Sequence, residues 1–138
     1  MARSHNFVVA LYVAHTILEL ILGGIKLRGK YSHLPGPMPD GAERFARHHG
    51  ISLLSLALLG GLALGPSPSD RATRLCHTET GSLASTVLAF FHSGAVAVML
   101  HAWLTTGAGL NVVLTHAPFA LAFIWHAQSG PAVWQKTS

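Results

Sequence analysis

Ten histidines occur in this chain of 138 residues, and several of them fall within long apolar segments. In the first segment His15 and Glu19 are four residues apart, so on a helix they share a face with Tyr12 and can touch. A carboxylate within an apolar segment is costly unless it finds a partner. A buried His–Glu pair meets that need and can exchange protons, so we expect an acid–base pair. The alternative is a hydrogen bond that only fixes this helix to its neighbours.

Two further histidines lie near the middle of later apolar segments, His92 in the third and His116 in the fourth. Pro118 closely follows His116 and removes a backbone donor, and such breaks often line a cavity. We therefore expect His15, Glu19, His92 and His116 to meet at a similar depth on three helices. These four residues are the predicted catalytic group.

A second polar layer is expected nearer one end of the bundle, where the second segment enters and the third and fourth meet. Arg44, His48, Ser52 and Ser55 follow one another at helical spacing and form a stripe suited to the mouth of a cavity. The alternative is a cationic turn that grips phospholipid headgroups. The residues predicted to bind substrate are Tyr12, His48, Ser55, His101 and Asn111.

The elements that must position these side chains follow from the composition. Half of the residues are apolar and a tenth are charged, whereas a soluble domain has roughly a quarter charged residues. The charges separate apolar segments at residues 7–27, 45–64, 82–104 and 110–126, and about 20 apolar residues suffice to cross a bilayer as a helix. The sequence predicts one domain, residues 1–138: an all-α integral membrane four-helix bundle with short loops, passing the membrane several times.

The link at residues 105–109 is short enough to force the third and fourth helices into an antiparallel hairpin. A soluble four-helix bundle is the alternative, but the first, third and fourth segments lack the charged outer face that it needs. The single cysteine, Cys76, excludes an intramolecular disulfide.

The net charge of +4 does not indicate a nucleic-acid partner. The basic residues form no patch interleaved with aromatic residues, and most flank apolar segments, where they would meet headgroups. Membrane lipid and a lipophilic small-molecule substrate are the expected partners, and a homo-oligomer is compatible with the same features.

Three functions are compatible with these features. The first is an enzyme of isomerase or cyclase type, without a cofactor, that moves protons on a lipophilic small molecule held away from water. The H-x-x-x-E pair of His15 and Glu19 resembles one in membrane sterol isomerases of the emopamil-binding type, a chemical analogy confined to two residues. The second is a haem or zinc protein, with His92 and His116, or His15 with either of them, as haem ligands, or with three histidines and Glu19 around zinc. The third is a transporter or lipid-binding subunit with a proton relay.

Overall fold

The computed structural model of the chain describes residues 2–29 and 41–129. These residues form four α-helices, α1 (Ala2–Leu27), α2 (Ala42–Ala63), α3 (Glu79–Thr106) and α4 (Leu110–Ser129). One turn of 3₁₀ helix, Leu75–His77, precedes α3. The predicted all-α four-helix bundle is confirmed, and the largest difference in bounds is at α1, which begins at Ala2 rather than at residue 7.

Three of the helices are long and apolar enough to cross a membrane, over His5–Leu27, Glu79–Thr106 and Leu110–Ser129. Their large apolar side chains point outward in many places; Phe90, for example, is 83% exposed. The buried set instead includes five histidine side chains and one glutamate: His15, Glu19, His77, His92, His116 and His126. Apolar side chains such as Leu88 and Phe123 are buried with them. The combination of buried ionisable side chains and large exposed apolar ones differs from a soluble bundle, where buried Glu is rare.

Helices α1 and α2 approach each other closely because glycines line their contact. A Cβ at Gly50 would lie 2.8 Å from the backbone nitrogen of Leu27 and 3.0 Å from the carbonyl oxygen of Gly23. Further along α2, a Cβ at Gly60 would lie 2.7 Å from Thr16 Oγ1. Small residues at such positions let membrane helices pack backbone against backbone. The two helices therefore run antiparallel and side by side over most of their length.

Helices α3 and α4 form the predicted hairpin. Gly107 ends α3 with a φ of 75°, and Gly109, just before α4, has a φ of 99°. Both angles lie in the left-handed region that glycine adopts without a steric penalty. The amide of Gly107 donates to the Trp103 carbonyl at 2.9 Å, which satisfies one of the last carbonyls of α3.

The loop between α2 and α3 folds back over one end of the bundle. The amide of Leu75 donates to the Gly65 carbonyl at 2.9 Å, and the Arg74 side chain donates to the Leu64 carbonyl at 2.8 Å. These bonds hold the 3₁₀ turn so that Cys76 and His77 are buried. Burial of the thiol raises the pKa of Cys76 to about 11, so it stays protonated at neutral pH.

The buried imidazole of His77 is expected to make the protein less stable in acid. Burial, reinforced by His5, His126 and Arg74, lowers the pKa of His77 from 6.5 to about 4. The unfolded chain therefore binds a proton near pH 6.5, whereas the folded chain does so only near pH 4, so this group destabilises the fold as the pH falls between those values. His77→Phe keeps a ring stacked on His5 and should give a flatter pH profile of unfolding in detergent. His101→Phe, at an exposed position, is the control and should keep the wild-type profile; equal profiles for all three proteins would contradict the assignment.

Candidate functional site

The predicted catalytic residues meet at the seam between the α1–α2 pair and the α3–α4 pair. His15 and Glu19 on α1, His92 on α3 and His116 on α4 are all buried. The rings of His15 and His92 meet edge to face with their centroids 5.1 Å apart, and His92 Nδ1 lies 2.7 Å from His116 Nδ1. These four residues, called here the central cluster, therefore lie together in the structure, and their catalytic role stays a prediction.

The polar atoms of the central cluster are poorly paired. His15 Nε2 and Glu19 Oε1 are 3.8 Å apart, too far for a hydrogen bond. Among the described residues, five buried atoms of the cluster have no hydrogen-bond partner: both ring nitrogens of His15, both carboxyl oxygens of Glu19 and His92 Nε2. Each such atom costs about 1–3 kcal/mol. Such a concentration of unpaired polar atoms in one place is unusual and makes the cluster the candidate site.

The unpaired atoms belong to imidazole and carboxylate side chains, which are side chains that can bind metal ions. One ring nitrogen from each of His15 and His92 and one oxygen from Glu19 all lie within 4.8 Å of one another. Two imidazoles and a carboxylate form a common catalytic zinc site, and the same donors bind non-haem Fe(II). Ligand atoms bound at about 2.0–2.2 Å to one tetrahedral ion lie roughly 3.3–3.6 Å apart, so this set would have to contract by up to about 1.5 Å to share an ion.

His116 lies behind His92 rather than beside the other ligand atoms. Of the two Nδ1 atoms, 2.7 Å apart, one must donate and the other accept. If His92 donates, its Nε2, which has no hydrogen-bond partner among the described residues, keeps a free lone pair, and metal-binding histidines usually donate their second nitrogen in this way. The same contact leaves no space for an iron between the two Nδ1 atoms as they stand, and haem ligation by His92 and His116 stays a prediction.

Two aromatic side chains of α4 wall the central cluster. Phe119 and Phe123 stack on the His92 ring, with centroids at 5.3 Å and 5.9 Å. Both also meet the His15 ring with an edge, at 5.8 Å and 5.2 Å. Because these rings offer no hydrogen-bonding atoms, they keep water away from the polar atoms and strengthen electrostatic interactions there.

A second polar group lies nearer the end covered by the 3₁₀ turn. Tyr12 Oη lies 2.9 Å from the Gly81 carbonyl oxygen and 2.7 Å from Ser85 Oγ, which lies 2.5 Å from His126 Nδ1. Only one assignment of donors and acceptors gives each of the three hydrogen bonds one proton. In it His126 donates to Ser85, Ser85 donates to Tyr12, and Tyr12 donates to the Gly81 carbonyl. These bonds join α1, α3 and α4, so the hydroxyl of Tyr12 has a structural partner, and its role towards substrate stays a prediction.

His126 was not among the predicted site residues. Its position could have indicated burial, because it lies three residues after Phe123 and seven after Phe119, on the same face of α4.

The predicted second polar layer is not directed into the bundle, which is a correction. His48, Ser55, His101 and Asn111 are exposed, and Ser55 Oγ donates to the Ile51 carbonyl of its own helix at 3.0 Å. The reason is the close packing of α1 and α2, which turns the glycine and alanine face of α2 inward and the stripe outward. His49 is the histidine of this turn that faces α1, where its Nδ1 lies 2.9 Å from Lys26 Nζ.

Within residues 2–29 and 41–129, the only group of three or more metal-ligating side chains this close together consists of His15, Glu19 and His92. Comparison of the chain with protein-family models, with curated proteins and with solved structures gave no match.

Proposed function

We propose that this protein is a multi-pass membrane metalloprotein in which His15, Glu19 and His92 bind one divalent transition-metal ion. The observation that carries the proposal is the trio of buried donor atoms within 4.8 Å of one another. Their lack of other hydrogen-bond partners among the described residues supports it. An ion bridging the three side chains would satisfy atoms whose burial is otherwise costly. Zn²⁺ and Fe²⁺ are the ions that this donor set suits.

Metal binding by the purified full-length protein in detergent tests the proposal. We expect about one ion per chain by elemental analysis, and a visible Co²⁺ spectrum after chelation and reloading. A double variant, His48→Gln with His101→Gln, removes two exposed histidines and should bind as the wild type does, which separates the central cluster from surface binding. A protein that takes up no ion after reloading, with no Co²⁺ spectrum, would refute the proposal.

A metal-free enzyme acting on a lipophilic small molecule, of isomerase or cyclase type, is the second candidate. The observation that favours it is the 3.8 Å separation of His15 Nε2 and Glu19 Oε1, because a substrate atom beside the pair, at about 2.6–3.2 Å from each of the two atoms, could exchange protons with both. Activity on such a substrate that survives complete removal of metal by a chelator would favour this candidate.

The packing of α2 supports four membrane crossings. By its own composition α2 is not among the helices apolar enough to cross. However, Gly50 contacts the C-terminal part of α1 and Gly60 contacts its middle, so the two helices share the same depth. If α1 crosses the membrane, α2 must cross it in the opposite direction, and its serines satisfy their hydroxyls on their own helix carbonyls.

Cysteine labelling on intact cells checks this topology. Arg28→Cys, at the end of α1, and Arg71→Cys, in the loop after α2, should react with a membrane-impermeant maleimide from opposite sides. Ala108→Cys, between α3 and α4, should behave like Arg28→Cys. Native Cys76 is buried and should stay unlabelled. Labelling of Arg28→Cys and Arg71→Cys from the same side would show that α2 does not cross.

A further inference from the structure

We infer that the metal ion keeps an open coordination position for an oxygen-donor group of a lipophilic molecule, an inference that rests on the metal centre proposed above. Three side chains, those of His15, Glu19 and His92, offer ligand atoms within 4.8 Å of one another, whereas structural zinc sites are usually closed by four protein ligands. Three protein ligands with a free position are typical of catalytic centres.

The fourth candidate ligand, His116, is already held by a hydrogen bond. His116 is the nearest additional imidazole, but its Nδ1 is engaged with His92 Nδ1 at 2.7 Å. Turning His116 towards the ion would break this bond and leave His92 Nδ1 buried without a partner, at a cost of about 1–3 kcal/mol. His116 is therefore a positioning residue: it fixes the proton of His92 on Nδ1 and directs Nε2 to the ion.

Apolar side chains lie around the donor residues His15 and His92. Phe119 and Phe123 lie flat against His92 and edge-on to His15, so the immediate surroundings of the donor atoms are apolar. The outer surface of α3 and α4 is also apolar, with Leu114 and Leu121 exposed. An apolar body carrying one hydroxyl, carbonyl or carboxylate oxygen matches both the ion and its surroundings.

Exogenous ligands added to the Co²⁺-loaded full-length protein in a non-ionic detergent test the inference. We expect azide to shift the visible Co²⁺ bands. We also expect octanoate to shift them at a concentration at least about tenfold lower than butyrate, since each buried methylene favours binding by about 0.8 kcal/mol. Phe123→Ala should reduce this preference, whereas Phe90→Ala, on the outer surface, should not.

The His116→Gln variant separates an open site from a closed one. For an open site, this variant should bind Co²⁺ about 10–100-fold more weakly, the usual effect of losing an outer partner, and should still respond to azide. A wild-type spectrum that ignores azide and octanoate, together with an azide response that arises only in His116→Gln, would make His116 the fourth ligand and overturn the inference. Failure of the wild type to bind Co²⁺ at all would instead refute the metal centre itself.

Discussion

Glu19→Gln is expected to lower the affinity for Zn²⁺ or Co²⁺ by at least about 100-fold. Loss of a residue that only supports a ligand lowers metal affinity by about 10–100-fold. Glu19→Gln should have a larger effect, because it removes a proposed ligand and the only carboxylate of the central cluster. The fold should survive, because an uncharged amide is less costly to bury than a carboxylate. Without metal, the variant should therefore be at least as stable as the wild type. Competition with a chromophoric chelator gives the affinity, and unfolding in sodium dodecyl sulfate gives the stability.

The controls for Glu19→Gln separate the site from the rest of the chain. His15→Ala should reproduce the loss of affinity, since it removes a second donor of the same set. Glu43→Gln removes an exposed carboxylate that pairs with Arg47 and should leave metal affinity unchanged. Wild-type affinity in both Glu19→Gln and His15→Ala would show that the ion, if bound, is held elsewhere.

Gly50→Ala is expected to destabilise the protein by about 2–3 kcal/mol, near the upper end of the range for overpacking. The new methyl group would lie 2.8 Å from the Leu27 amide nitrogen and 3.0 Å from the Gly23 carbonyl oxygen. Both neighbours are backbone atoms of α1 and cannot move aside as a flexible side chain can. The helices must separate, and the better helix propensity of alanine offsets only about 0.5–1 kcal/mol. Unfolding in mixed micelles, followed by helical circular dichroism, measures the change.

Gly24→Ala is the matched control for Gly50→Ala. A Cβ at Gly24 meets no atom within 4 Å, so this variant should be as stable as the wild type or slightly more stable. Equal stability of the two variants would mean that α1 and α2 are not in backbone contact at Gly50. The support for a membrane-crossing α2 would then be lost as well.

Hydrophobic segment length and loop composition were enough to predict the four helices. Apolar runs near the length of a bilayer crossing have few alternative structures, because backbone groups in lipid must bond within their own segment. The hairpin of α3 and α4 was predictable because so short a link leaves no other arrangement. The convergence of His15, Glu19, His92 and His116 was predictable from their similar depth, since costly side chains avoid lipid by facing one another.

The rotation of each helix about its axis was not predictable in the same way. The stripe of Arg44, His48, Ser52 and Ser55 indicated an inward polar face, yet the structure turns it outward. That choice depends on which face of α2 can approach α1 most closely. Glycines and alanines decide it through backbone contact, and hydrophobic patterning does not report such contact.

The sequence by itself determined the number and approximate length of the helices and the positions of the ionisable side chains along them, because these follow from local composition. Only the tertiary structure decided which atoms meet. It places one nitrogen of His15, one of His92 and a Glu19 oxygen within 4.8 Å of one another, sets His116 behind His92, and adds His126 through Ser85. These contacts depend on the relative rotation and spacing of three helices, set by packing between residues far apart in the chain.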